Sequence, residues 1–114
     1  YSRIGETKFT AFRHSNVYGP RDKFDLDKCH VVPAFVNKVI NADKVLEIWG
    51  KGNASRDIIY IDDLVDFIDK CIKNQEAKYE LYNCGAGKEL GWEPTTSVIE
   101  GLRRTSDWYK NNVQ

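Results

Sequence analysis

A chain of 114 residues has room for one domain with a modest core. Its 17 basic and 17 acidic residues cancel, so no overall field draws it to nucleic acid or to an acidic membrane surface. An apolar share of 41% with 12% aromatics suits a globular protein, and apolar runs of only a few residues predict neither a transmembrane span nor a secretory leader.

In chain order, residues 8–13, KFTAFR, are expected to form a buried strand bounded by turn formers. Residues 14–29 follow as loop, carrying the turn signal Tyr18-Gly19-Pro20. From Pro33 the run PAFVNKVINA sets Phe35, Val36, Val39 and Ile40 in a helical stripe, with Pro33 tolerated in the first turn. VLEIWG reads as a short strand ended by Gly50, and KGNAS as a turn. RDIIYI reads as a further strand, its alternation placing Arg56, Ile58 and Tyr60 on one face and Asp57, Ile59 and Ile61 on the other. Asp62 is expected to cap a helix over DLVDFIDKCIKN, where Leu64, Phe67, Ile68, Cys71 and Ile72 fall at helical spacing. YELYNCG is the next strand, ending at Gly85. Finally, Ser97 and Glu100 make a capping box for a helix whose inward stripe is Val98, Leu102, Thr105 and Tyr109. Strands and helices alternate without internal repeats, so the expected fold class is α/β.

Three cysteines, Cys29, Cys71 and Cys84, are an odd number without metal-ligand spacing. They argue against a disulfide framework, against a zinc site and for a reducing compartment, the cytoplasm. No metal ligand set is expected.

Several residues invite a chemical reading beside a plain one. His30, at a helix start, is either a locally bonded residue or a general acid/base, since imidazole titrates near neutrality. Cys29 beside it is an improbable nucleophile partner, because neighbouring side chains of an extended segment point apart. Arg56 follows a glycine-rich turn and is either a surface arginine paired with an acid such as Asp57 or a guanidinium fork for phosphate oxygens. WGKGN could cradle a phosphate but lacks the lysine-hydroxyl ending of a P-loop. Asp62-Asp63 sits where a helix begins, which capping and the helix dipole explain. Trp49 is either core or a stacking platform.

Taken together, FRHSNVYGPRD, HVVPAFVNKV, IWGKGNASRDIIYIDDLVDF, YNCGAGK and LGWEPTTSVIEGLRRTSDWY resemble the C-terminal half of extended short-chain dehydrogenases/reductases. These are Rossmann-type, NAD(P)-dependent sugar-nucleotide epimerases and dehydratases. The spacing of Asn-x-Tyr-Gly-Pro at Asn16 to Pro20, Asp-x-Phe at Asp22 to Phe24 and His-Val-x-Pro-Ala at His30 to Ala34 is similar to that of the GDP-L-fucose synthase group.

The resemblance implies that residues 1–114 are the substrate-binding region of such an enzyme. The N-terminal dinucleotide-binding portion is then expected to be absent: the chain has no Gly-x-x-Gly-x-x-Gly fingerprint, and Tyr1 is followed by Gly5 rather than by the lysine of a Tyr-x-x-x-Lys pair. An abrupt opening without an initiator methionine agrees with that expectation. CGAGKE and LGWEP abut where the family carries a further helix and strand, so a gap is expected near 88–90.

The implied activity is conversion of GDP-4-keto-6-deoxymannose to GDP-L-fucose, by 3,5-epimerisation and NADPH-dependent reduction at C4. The resemblance makes His30 the catalytic acid, its partner base being a cysteine other than Cys29. It makes Asn16 a cofactor and substrate contact near the nicotinamide. Lys38, Trp49 and Arg56 become substrate contacts, Arg56 at the diphosphate and Lys38 where the family often has arginine. NADP would be bound mainly outside this chain, and the whole enzyme would be a homodimer. Two alternatives stay open: another NAD(P)-dependent nucleotide-sugar 4-epimerase or dehydratase, and a non-catalytic domain that binds a nucleotide or a partner chain.

Overall fold

The computed structural model of the chain describes residues 5–48, 50–85 and 92–113. The elements run β1 (Phe9–His14), β2 (Asn16–Tyr18), α1 (Val31–Asn41), β3 (Ile58–Tyr60), α2 (Ile61–Asn74), β4 (Tyr79–Cys84) and α3 (Val98–Asn112). They divide between two compact units, residues 1–17 with 57–95 and residues 18–56 with 96–114.

The first unit is built as α/β layers. Strands β1 and β4 pair in parallel, from Phe9 opposite Tyr79 to His14 opposite Cys84, and β2 pairs with β3 in a separate two-stranded sheet. Along β4 the side chains alternate, Tyr82 and Cys84 buried and Tyr79, Leu81 and Asn83 exposed, which is the period-two signature of a half-buried strand. Helix α2 contributes Leu64, Phe67 and Cys71 to the core, against Ile59, Tyr82, Cys84 and Trp92. Phe67 is fully buried. Its ring stands 6.1 Å edge-on from both Phe12 and Tyr82 and 4.9 Å from Trp92. Truncating it to alanine would cost about 3–5 kcal/mol. The end of α2 is fixed by Gln75, whose side-chain amide donates to the carbonyls of Phe9 and Ala77 and accepts from the Thr10 hydroxyl.

The second unit centres on α1 and α3. Phe24, Val36 and Tyr109 form its buried cluster, with Ile40 and Trp108 packed against them. Phe24 lies 4.7 Å from the Tyr109 ring and stacks on Trp108 at 5.8 Å. Asn37 of α1 donates to the Phe24 carbonyl at 2.7 Å, and Asn41 donates to the Tyr109 hydroxyl at 3.0 Å. The loop before α1 is therefore plugged into the helix pair by one aromatic ring and one amide.

The α/β class agrees with the sequence, and several local expectations need correction. Residues 45–48 form no strand: Val45 and Ile48 are exposed, and an apolar run becomes a strand only when a neighbour completes its ladder. The expected loop 14–29 contains β2, which bonds to the segment entering β3 through Asn16 N–H to the Asp57 carbonyl, 3.3 Å. Helix α2 starts two residues early, so Tyr60 occupies the N-cap and Asp62 and Asp63 fall inside the first turn. Asp63 is buried there and accepts from both the backbone N–H and the hydroxyl of Thr95. The strand before it spans only Ile58–Tyr60, with Ile59 and Tyr60 both buried, so the assigned alternation of faces does not extend to Arg56 or Ile61. In α3 the buried line is Gly101, Thr105 and Tyr109. Val98 shares that face at i, i+3, i+7 but is the first residue of the helix, and it is half exposed there. Ile72 likewise faces outward, one residue past buried Cys71 and about 100° round the helix. Ser97 does accept from the Glu100 N–H, 3.2 Å. The Glu100 carboxylate, however, turns to Arg103 and Arg104 rather than back to the cap, so the box is half formed.

Candidate functional site

The second unit contains a cleft of about 690 Å³, a size typical of small-molecule sites. One wall is a face of α1: Val31, Ala34, Phe35 and Lys38, spaced i, i+3, i+4, i+7 as one helical face demands. The opposite face of the same helix carries Pro33 and Val36 into the core. The other wall is drawn from residues 47–48, 50–54 and 56, including Ile48 and Lys51. Gly50 and Gly52 bend it at φ +93° and +74°, in the left-handed region that suits glycine. A Cβ at either would meet nothing within 4 Å, so it is the backbone angle and not crowding that calls for glycine.

Three cations, Lys38, Lys51 and Arg56, and one acid, Glu47, border this cleft beside Phe35, Val31 and Ile48. Such a lining is matched to a ligand with an anionic part and an apolar, flat part. The Arg56 side chain is exposed and donates one bond, from Nη1 to the Ser55 carbonyl at 2.9 Å. Among the described residues it makes no ion pair, with Asp57 or any other acid. Apart from Nη1, its guanidinium N–H groups have no partner among the described residues. Lys38 reaches the Glu47 carbonyl at 3.5 Å, bridging the two walls.

His30 is the N-cap of α1, one residue before Val31 on the cleft wall. Its carbonyl accepts the first helical bond from Ala34 N–H at 3.0 Å, while its imidazole makes no cap hydrogen bond. The ring is 79% exposed, with Nδ1 3.9 Å from the Asp22 carboxylate. The helix start thus uses the backbone of His30 and leaves its side chain for other work. Asn16 belongs to the first unit, where its amide donates to the Asp57 carbonyl at 3.0 Å and helps to hold β2. Trp49 and the 88–90 junction lie outside the described residues. Of the expected substrate contacts, the structure brings Lys38 and Arg56 to one cleft with His30 next to it in the chain.

Phe35, expected in a core stripe, is cleft wall. Val31, Lys51 and Ile48 were not singled out at all, although the i, i+3, i+4, i+7 spacing from Val31 to Lys38 was there to be read. Cys71 and Cys84 are buried and Cys29 is partly exposed; burial, with Cys71 and Asp57 nearby, pushes the Cys84 thiol up to about 11. No group of three or more His, Cys, Asp or Glu side chains among the described residues is placed to hold a metal. No helix there is long and apolar enough to cross a membrane.

The fold defines an α/β protein with parallel strands. The chain belongs to the NAD dependent epimerase/dehydratase family, whose pattern matches residues 1–85. It is 40% identical over 104 residues to a GDP-L-fucose synthase of Sinorhizobium fredii, covering 88% of this chain and 31% of that protein. It is 38% identical over 78 residues to a GDP-L-colitose synthase of Yersinia pseudotuberculosis, covering 65% of this chain and 25% of that one. Among solved structures, the Bordetella bronchiseptica enzyme WbmF in complex with NADH superposes with a TM-score of 0.81 at 20% identity, over 99% of this chain and 48% of WbmF. The chain thus spans about a third or less of these two curated relatives and about half of WbmF.

Proposed function

We propose that this chain forms the nucleotide-sugar pocket of a GDP-L-fucose synthase-like reductase/epimerase and supplies the acid of its epimerisation. The observation that carries the reading is the cleft in which Lys51 and Arg56 stand across from Val31, Ala34, Phe35 and Lys38 of α1, with His30 capping that same helix. The cations suit a diphosphate, and Phe35 with Ile48 suits the flat base. Two relatives named for GDP-linked sugars favour guanosine diphosphate over other nucleotides. As they are named for different sugars, a GDP-sugar other than fucose is the second reading.

The substrate is a GDP-linked 4-ketosugar, GDP-4-keto-6-deoxymannose in the first reading. Protons at C3 and C5 flank the C4 ketone, so passing one to a base, the cysteine other than Cys29 that the resemblance implies, gives an enolate. Inversion then needs a proton delivered to the opposite face of that carbon. The His30 imidazolium delivers it, an N–H bond breaking as the C–H bond forms, and the imidazole is left neutral. Arg56 holds the diphosphate during this exchange.

The reductant of the proposed enzyme is NADPH. The described residues do not fit that cofactor: α1, α2 and α3 start behind His30, Tyr60 and Ser97, none of them a glycine-rich turn for a pyrophosphate. The hydride step is therefore not among those these residues perform. A homodimer in the cytoplasm completes the reading.

The test is His30→Gln in the enzyme that carries this sequence, supplied with GDP-4-keto-6-deoxymannose and NADPH. Loss of a general acid lowers inversion roughly 10²- to 10⁴-fold and spares reduction, so a reduced but un-inverted or partly inverted sugar accumulates. NMR of the product, with solvent deuterium at C3 and C5, reads the outcome. A fully inverted sugar at near wild-type rate would return His30 to the role of a helix-start residue.

A further inference from the structure

We infer that Asp22 is a positioning residue for His30, fixing which ring nitrogen faces the substrate; this rests on the catalytic role proposed for His30. The two residues are eight apart, in a segment with no regular secondary structure, yet Asp22 Oδ1 comes to 3.9 Å from His30 Nδ1. The carboxylate is largely shielded, at 17% exposure, while the imidazole is 79% exposed.

The approach is held from several sides. Phe24, two residues after Asp22, is buried between Trp108 and Tyr109 and tied by Asn37 at its carbonyl. Asp22 Oδ1 accepts from the Lys23 N–H at 2.7 Å, which orients the carboxylate against its own backbone. The turn is closed by Lys28 N–H to the Asp25 carbonyl at 3.0 Å and Asp27 N–H to Asp25 Oδ1 at 3.1 Å. Just before Asp22, Arg21 sits at φ +66°, a left-handed conformation uncommon outside glycine and unfavourable for a long side chain. A loop that tolerates strain at Arg21 and is pinned at Phe24 is a loop built to put residue 22 in one place.

That place has a chemical consequence. A neutral imidazole carries one N–H, and the partner of one nitrogen decides which nitrogen keeps it. A carboxylate beside Nδ1 accepts Nδ1–H, which selects that tautomer and turns Nε2 outward. No other hydrogen bond or ion pair of the His30 side chain exists among the described residues, so no other described side chain competes with Asp22 for Nδ1. The separation is longer than a hydrogen bond, as is usual for catalytic contacts without substrate. When the imidazolium gives up its proton, the bond that breaks is Nε2–H, and the proton retained is the one on Nδ1 facing Asp22.

The experiment uses this chain's two histidines. Long-range ¹H–¹⁵N spectra, recorded where both rings are neutral, assign the tautomer of His30, with His14 as the internal control. The native protein is expected to show His30 as the Nδ1–H tautomer. Asp22→Ala is expected to convert it to the Nε2–H form that free histidine favours, and to leave the His14 signals unchanged. Asp22→Asn keeps size and an acceptor oxygen, and is expected to retain a part of the native pattern. In the complete enzyme Asp22→Ala lowers the rate of inversion by about ten- to hundredfold, leaving KM and ketone reduction as they were. An unchanged His30 tautomer in a folded Asp22→Ala protein overturns the inference, and should that protein fail to fold, an Asp22→Asn spectrum identical to the native one does so. Full inversion by His30→Gln, with the tautomer still dependent on Asp22, would defeat the catalytic reading of the histidine and not the contact itself.

Discussion

Phe24→Ala removes the plug that fastens the loop to the helix pair. Phe24 keeps 6% of its surface exposed, and its ring meets Tyr109 at 4.7 Å and Trp108 at 5.8 Å. Large-to-small changes of this kind cost about 3–5 kcal/mol through lost transfer energy and the cavity left behind. Two aromatic contacts, at roughly 0.5–1.5 kcal/mol each beyond area burial, put the expected loss in the upper half of that range. The backbone carbonyl of residue 24 remains to accept from Asn37, so the loop is loosened rather than released from every tie. Urea unfolding followed by tryptophan fluorescence measures the change, because Trp108 loses its stacking partner and reports on this unit. Phe24→Leu keeps most of the volume and should recover more than half of the loss. A loss under about 1 kcal/mol for Phe24→Ala would mean the ring is not the anchor, and the placement of Asp22 and His30 would need another cause.

Arg56→Lys keeps the charge but loses the planar fork, and the KM for the GDP-sugar is expected to rise about tenfold or more; steady-state kinetics at fixed NADPH read it, and an unchanged KM would make Arg56 an ordinary surface cation. Hydrogen bonds from Arg103 first, and then Arg104, hold the Glu100 carboxyl down at about 2, against 4.5 unperturbed. Such a depressed group contributes stability that is present above pH 4.5 and is lost as pH falls through about 2. Glu100→Gln should therefore flatten the fall in Tm over that acid window, as followed by circular dichroism, while leaving Tm above it little changed.

The sequence disclosed elements better than faces. Strands β1 and β4 and helices α1, α2 and α3 were legible because periodic apolar residues and punctuation by glycine and capping residues are local signals. The Ser97 cap was legible for the same reason. The 45–48 run misled because Val45, Leu46 and Ile48 have strand chemistry, and only the tertiary structure says whether a partner strand is there. Tyr60 rather than Asp62 caps α2 because the chain turns into the helix directly from β3, and Asp63 in the first turn accepts from Thr95. No local pattern could foretell a bond between residues 32 apart. Of the cleft lining, Lys38 and Arg56 were legible as residue types, and His30 as the residue at the start of α1. Asp22 carries no local signal beyond its motif position, since its approach to His30 depends on a loop closing across eight residues and being pinned by an aromatic ring.

Helix α1 serves two masters, and separating them gives the sharpest test of where the pocket lies. Its apolar residues at 35 and 36 are neighbours in sequence yet about 100° apart round the helix. Val36 is 5% exposed in the core and Phe35 is 40% exposed on the cleft wall. Val36→Ala deletes two buried methyl groups, worth about 0.8 kcal/mol each with a cavity contribution added, so stability should fall by roughly 2 kcal/mol. GDP binding by the folded fraction should be untouched. Phe35→Ala gives up surface that was partly wet already, and its cost to folding is expected to be the smaller. It removes the apolar wall facing Lys51 and Arg56, and a loss of about 1.4 kcal/mol there is a tenfold weaker Kd for GDP. Urea unfolding and calorimetric titration with GDP, run on both variants, should therefore give opposite orders: Val36→Ala the less stable, Phe35→Ala the weaker binder. If both variants lose stability alike and bind GDP alike, the exposed face of α1 is only the outer side of a core helix, and the nucleotide does not sit in this cleft.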